Sequence, residues 1–417
     1  MTQRYMHDHK GNDLNITIVK TKPSFAEFVV LISMMMSLTA LSVDAMLPAL
    51  PQIGQELGAQ TANQPQLVIS FVFFGLALGQ LFFGPLSDSI GRKPAIYAGL
   101  AVFVAGSLVS LFAVNFSMIL LGRLLQGVGA SAPRAVTLAL VRDQYEGRAM
   151  ARVMSFVMTV FILVPMIAPT LGQAILRVAS WRAIFGSFVL LAAIIFVWFA
   201  LRQPETLAPN DQAPFTGRRI IRATQTVIKT RTSLGYTITA GLVMGAMLGY
   251  INSAQQIFQG LYGLGTLFPL YFAVVSSTIG VSSLLNSRLV MRYGMRFLVQ
   301  RSLLIIFVLS AIAVTVTIFI TREPPFGFFM VYLMLAFFCI GILFGNMNAL
   351  AMQPLGQIAG IGAAVVGALS TLLSALLGML IGQSYNGTVL PLVLGLAILS
   401  GLSMMVVRWA EAPQLNN

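Results

Sequence analysis

Twelve acidic side chains are spread along this chain of 417 residues, and only Asp44 lies well inside an apolar run. The others stand in tails, in polar connections or at the ends of apolar stretches. Two basic residues are similarly submerged, Arg123 and Arg134. A charge at membrane depth costs several kcal/mol on most scales, so such a residue is read first as part of an ion or substrate pathway. A carboxyl beside a guanidinium in apolar surroundings can bind and release a proton, because burial opposes its charge and the cation favours it. Proton exchange at Asp44, tuned by Arg123, is the chemistry these types and positions suggest.

Other chemistries lack residues. His7 and His9 both lie in the N-terminal tail and Cys339 is single, so no metal site, disulfide or nucleophilic cluster is expected. Neither an enzyme nor a bound cofactor is expected. The net charge of +13 comes from short connections between apolar runs, which is a topology signal rather than a nucleic-acid footprint. With 57% hydrophobic and 9% charged residues, the composition is that of a polytopic helical membrane protein.

Twelve apolar runs carry these residues, at roughly 25–50, 64–87, 94–113, 117–141, 151–176, 182–201, 235–257, 266–288, 298–320, 325–349, 358–384 and 388–408. The expected organisation is a tail at 1–24, a six-helix bundle at 25–201, a central loop at 202–234, a second bundle at 235–408 and a tail at 409–417. No cleavable signal is read at the start, because the first run is too long for one. Connections after runs 2, 4, 6 and 8 are rich in Arg and Lys, whereas those after runs 1, 3, 7 and 11 have neither. Arg177, Arg182 and Arg322 are modest exceptions. Both termini are therefore expected in the cytoplasm. The central loop opens with Pro204, Pro209 and Pro214, then mixes Arg218, Arg219, Arg222, Lys229 and Arg231 with apolar residues, as an interfacial helix against anionic headgroups would.

Asp44 and Arg123 each lie about six residues from the outer ends of runs 1 and 4, so both sit roughly 9 Å deep. The expectation is a facing pair. Arg134 lies about three turns further along run 4, on nearly the same face, some 16 Å nearer the cytoplasm. It could attract an anionic substrate, guide the proton path by repulsion, or snorkel to the inner interface. Ser37 and Leu41 share the stripe of run 1 that carries Asp44.

After run 2 stands Gly84-Pro85-Leu86-Ser87-Asp88-Ser89-Ile90-Gly91-Arg92-Lys93. It resembles the signature loop of the major facilitator superfamily, G-x-x-x-D-(R/K)-x-G-(R/K)-(R/K), matching at Gly84, Asp88, Gly91, Arg92 and Lys93 and departing at Ser89. The resemblance implies a charged conformational latch with Asp143 at the end of run 4. A degraded copy, Gly294-Met295-Arg296, follows run 8 and points to duplication. Run 4 carries Arg123-Leu124-Leu125-Gln126-Gly127, similar to the superfamily's intramembrane Arg motif. In run 5, Pro165 and Ala168-Pro169-Thr170-Leu171-Gly172-Gln173 resemble the antiporter motif G-P-x-x-G-G, with Ala168 and Gln173 replacing glycines. Asp44 followed by Leu47-Pro48-Ala49-Leu50-Pro51 is similar to the bicyclomycin-resistance (Bcr/CflA) group of drug/proton antiporters.

The resemblance implies an all-α integral membrane fold of two pseudo-symmetric six-helix bundles rocking about a midplane cavity. It implies export of lipophilic drug-like compounds in exchange for protons, across a bacterial inner membrane, by a monomer. The proton gradient would supply the energy, and Pro165, Pro169 and Gly172 would shape helix 5. Candidate cavity residues are Ser37, Leu41, Gln126, Arg134, Tyr250, Asn252, Gln255 and Asn346. Two alternatives stay open: a proton-coupled carrier of a metabolite such as an amino acid or organic anion, and a passive channel or non-transporting receptor. The Lys/Arg asymmetry has a direct test. Alkaline phosphatase fused after residue 60 is expected to be active and after residue 215 inactive; the reverse pattern would overturn the orientation.

Overall fold

Hydrocarbon offers a backbone no hydrogen-bond partners, so a chain this apolar must satisfy its amides within helices. The computed structural model describes residues 5–7, 13–15 and 23–412. Most of the two expected tails, including His9, lies outside the described residues. Within the first tail, β1 (Tyr5–His7) pairs antiparallel with β2 (Asp13–Asn15). Everything else with regular structure is helical.

The first half contains α1 (Phe25–Asp44), a short α2 (Leu50–Glu56), α3 (Leu67–Ile90), α4 (Arg92–Leu111), α5 (Phe116–Gln144), α6 (Gly147–Val178) and α7 (Arg182–Arg202). A connecting helix, α8 (Gly217–Lys229), follows. The second half contains α9 (Arg231–Gln255), α10 (Phe268–Tyr293), α11 (Met295–Thr315), α12 (Phe326–Met352), α13 (Ala359–Gln383) and α14 (Leu390–Glu411). Among the described residues twelve spans are long and apolar enough to cross a membrane, α1 and α2 forming one of them. The protein is a multi-pass membrane protein; its basic end carries most of the Arg and Lys residues, including the Arg92 junction and α8, and the opposite end is the far end.

One sequence expectation changes. Run 1 is not one helix: α1 stops at Asp44, and a 3-10 turn at Leu47–Ala49 leads into α2. Pro48 has no N–H to give the Asp44 carbonyl and its ring crowds that oxygen, which favours a break here, while Pro51 suits the first turn of α2. The central loop is largely helical. Its basic, apolar-striped stretch forms α8, and the seventh span begins at Arg231.

Glycines set the packing of the first half. A side chain at Gly127 would meet the Val72 carbonyl at 2.0 Å, and one at Gly129 the Phe103 amide at 2.2 Å. Thus α5 sits wedged between α3 and α4, with main chain against main chain. The two halves meet along α3 with α13 and along α6 with α10. Gly91 (φ +102°) and Gly294 (φ +78°) turn the chain at the equivalent junctions α3–α4 and α10–α11. A left-handed φ is easy only for glycine, which accounts for its place in both copies of the loop.

Each end is fastened differently. At the far end, six hydrogen bonds between neutral groups join Ala62 and Asn63 to Gln256, Gln383 and Tyr385, and Tyr385 to Gln256. Four of these six involve Asn63 paired with Gln383, Tyr385 or Gln256. Arg182, an exception to the charge asymmetry, is neutralised there by Glu56, which also accepts from the Trp181 indole at 2.5 Å. At the basic end, Glu27 closes a capping box with Ser24 and accepts from Arg202 Nε at 2.6 Å and Nη2 at 2.8 Å.

Candidate transport site

Asp44 is the last residue of α1 and is 4% exposed. Among the described residues its carboxyl has no hydrogen bond and no ion pair. The helix break that follows it is held by α6. A Cβ at Gly172 would lie 2.0 Å from the Ala45 carbonyl oxygen, so only glycine lets α6 reach the end of α1. The helix α6 itself runs on through Pro165 and Pro169 from Gly147 to Val178.

Arg123 is fully buried but does not pair with Asp44 as expected. Its Nε donates to the Val68 carbonyl at 2.9 Å and its Nη2 to the Ser42 carbonyl at 2.8 Å, while Nη1 donates to Gln126 Oε1. The physical reason lies in the helix end. Met46 N–H bonds to the Val43 carbonyl, which leaves the Ser42 carbonyl to the guanidinium. A guanidinium carries five donors in a fixed fork, and these carbonyls meet it in that geometry. Gln126 is held in turn, its Nε2 donating to Ser107 Oγ at 2.9 Å. Arg123 is therefore a strut joining α5 to α1 and α3, with its charge two residues from Asp44.

Across the seam, Tyr250 of α9 is 2% exposed and its hydroxyl has no hydrogen-bond partner. Its ring stacks on Phe272 at 5.6 Å and meets Phe337 edge-on at 4.6 Å. Tyr250 and Asp44 lie within electrostatic reach of each other. Nearby, Asn252 Nδ2 donates to Ser70 Oγ at 3.2 Å, joining the two halves in a buried site. Asp44 thus lies where the halves touch.

The expected charged cluster stands at the basic end. Arg92 bonds to Asp88 at 2.5 Å and to Asp143 at 3.0 Å. Both carboxylates belong to the first half, so the cluster ties α3, α4 and α5 together. Its approach to the second half is at Gly360, where a Cβ would lie 4.0 Å from Asp88 Oδ2. Glu205, read from the sequence only as a loop acid, accepts the amides of Arg92 and Lys93, each at 2.9 Å. It caps α4, a position where a carboxylate offsets the helix dipole. Lys93 Nζ donates to the Gln203 carbonyl at 2.6 Å and completes the clasp.

A cavity of about 480 Å³ opens between the halves toward the basic end. Gln80, Gly84 and Arg134 line it from the first half, and Met244, Met347 and Ser370 from the second. Of the eight candidate cavity residues, only Arg134 is there. Gln126 is spent on Arg123, Gln255 donates to Gln259, and Asn346 donates to Asn286. Leu41 lines a separate groove with Leu171 and Phe188. Ser37 is buried with an unpartnered hydroxyl, and Tyr250 and Asn252 occupy the seam. Gln80 was missed, although a glutamine in mid-run is itself a signal; Gly367 leaves room for it, since a Cβ there would come 2.7 Å from its Oε1. The two methionines carry no sequence signal, because the chain has 22 of them.

These features, a twelve-helix fold in two halves with a cavity between them, are those of a secondary transporter. The chain matches the Major Facilitator Superfamily over residues 31–379 and belongs to that family. It is 30% identical over 356 residues to the uncharacterized MFS-type transporter YdgK of Bacillus subtilis, covering 84% of this chain and 87% of that one. It is 28% identical over 402 residues to a bicyclomycin resistance protein homolog of Haemophilus influenzae, covering 94% and 97%. With the multidrug resistance protein MdtL of Escherichia coli O157:H7 it shares 25% over 372 residues, covering 88% and 91%. The fold superimposes on the human organic anion transporter MFSD10 with a TM-score of 0.70 at 17% identity, covering 94% of this chain and all of that one. It matches a partially occluded inward-open xylose transporter, XylE of E. coli, equally well at 14% identity, covering 94% and 99%.

The contact of Gly172 with the end of α1 makes a prediction. Gly172→Val is expected to lower the thermal unfolding midpoint of the detergent-purified protein, because over-packing costs typically about 1–3 kcal/mol. An unchanged midpoint would show that α6 can move off Ala45 without loss.

Proposed function

We propose that the protein exports lipophilic drug-like compounds across a bacterial inner membrane in exchange for protons, and that Asp44 carries the proton. The observation behind this reading is a buried carboxyl with no bonding partner among the described residues, within electrostatic reach of Tyr250 of the other half. An ionised carboxyl without partners is costly to enclose, whereas the neutral acid is not. Protonation from the far side would let that seam close over Asp44 and open the cavity to the basic end. Loss of the proton toward the basic end would leave a charge enclosed and favour reopening at the far end. Arg123 sets how readily the charge is tolerated. The names of the Haemophilus and Escherichia relatives support a drug as cargo, and the apolar, methionine-bearing cavity suits varied apolar shapes. One copy of the chain contains the whole path, and no cofactor beyond the proton gradient is required.

The decisive variant is Asp44→Asn, which keeps the shape and cannot titrate. In reconstituted vesicles it is expected to bind drug yet lose uphill export driven by a pH gradient alone. Export that continued would place the proton elsewhere and sink this reading.

One observation favours a second reading of the cargo. Arg134 faces the cavity and has no hydrogen bond, ion pair or ring partner among the described residues. An organic anion would give it one. If the cargo carries a carboxylate, Arg134→Gln should weaken its binding by about tenfold or more while leaving a neutral analogue unaffected, as loss of a charge-assisted hydrogen bond implies. Equal binding of both compounds to both proteins would restrict the cargo to neutral lipophiles.

A further inference from the structure

We infer that the basic end holds a second binding site, for a phosphate-bearing anion, in the pocket between α8 and the start of α13. The pocket has a volume of about 440 Å³ and gathers four arginines, Arg142 from α5 with Arg218, Arg219 and Arg222 from α8. None of these guanidiniums has a hydrogen bond, ion pair or ring partner among the described residues. Asp88 is the one acid in the lining, and it is already held by Arg92 at 2.5 Å. The pocket therefore keeps a large excess of positive charge. Like charges gathered around one cavity repel, so an anion there removes a standing cost.

Two further features have the same sign. The N-terminal ends of α8 and α13 both reach the lining, at Thr216–Arg219 and Ala359–Ile361, and neither helix has an acid in its first turn or a side-chain cap. Their N-terminal dipole ends add to the field of the arginines. Guanidinium forks match the oxygens of phosphate two at a time, which a lone carboxylate satisfies less fully. Beside the pocket, Phe215, Ile221 and Ile228 are exposed apolar residues on the same connecting segment, placed to meet acyl chains. The phosphate can thus come from an anionic lipid headgroup or from a soluble phosphate compound.

The walls belong to three bodies: the first half through Arg142, the connecting segment through α8, and the second half through Ala359–Ile361. An anion bonded across them resists their separation. It also stands at the mouth of the transport cavity, which shares Asp88, Arg142, Ala359 and Gly360 with it. Occupancy would slow the opening of the basic end and so set the rate of alternation.

The test uses the full chain without substrate, so its outcome is independent of the proton and cargo readings. Thermal unfolding is followed in detergent with inorganic phosphate against chloride at equal ionic strength. It is then followed in phosphatidylcholine vesicles with and without phosphatidylglycerol. The wild type is expected to be stabilised by at least one probe: phosphate in detergent identifies a soluble source, and phosphatidylglycerol alone a lipid source. The variant R218Q/R219Q/R222Q should weaken that response by about tenfold or more, since each basic residue near an anionic surface contributes on the order of 1 kcal/mol. Arg142→Gln, on a different wall, should weaken it as well and stands in if the triple variant does not fold. Stabilisation by neither probe, or an equal response in the arginine variants, overturns the site.

Discussion

A guanidinium enclosed in hydrocarbon must find acceptors, and the acceptors found by Arg123 decide much of the first half. Two of them are main-chain carbonyls, Ser42 at the end of α1 and Val68 at the start of α3. Removing a partner from a buried charged group costs several kcal/mol, so the strut fixes three helices against one another. It also fixes the break in α1, because the carbonyl it takes is one the broken helix no longer uses. Asp44 is left next to this break with a cation nearby and no bond of its own. A direct ion pair would have favoured the charged form, and the strut's own acceptors leave Asp44 outside one.

The glycines around α5 and α6 make that arrangement possible. Main chain approaches main chain at Gly127 and Gly172, which brings the strut within reach and presses α6 onto Ala45. Dispersion and close packing hold helices together in lipid, where the hydrophobic effect between them is absent. Small residues at these points are thus a structural condition for the site as well as a family signature.

The two ends of the molecule differ in the strength of their fastenings. The far end is joined across the halves by neutral hydrogen bonds, each worth roughly 1 kcal/mol net. A proton or a substrate can supply free energy of that size, since one pH unit corresponds to about 1.4 kcal/mol. At the basic end, the Arg92 cluster with its Glu205 cap is ionic but lies mainly inside one half. It keeps that half rigid while the seam beside it, at Asp88 and Gly360, is free to part. The strong bonds thus lie within the halves and the weaker ones between them, which suits the alternation proposed above.

The sequence by itself determined the class of the molecule. Hydrocarbon forces apolar runs into helices, so twelve spans in two halves were legible from spacing, and the charged cluster near Gly91 from the resemblance of its loop to a family signature. Asp44 stood out as well, as a lone acid inside an apolar run. The pairing of buried groups was a matter for the tertiary structure. Depth along helices placed Asp44 level with Arg123, yet the guanidinium turned to the carbonyls of Val68 and Ser42, the second left open where α1 ends. Gln126, Gln255 and Asn346 were read as cavity residues, and each is satisfied by a neighbouring helix or turn. Glu205 reaches α4 across more than a hundred residues, and Gln80 meets the cavity because Gly367 yields space. Periodicity tells which residues share a helix face. Which face meets which partner is decided by packing between helices far apart in the chain, and that information is not local.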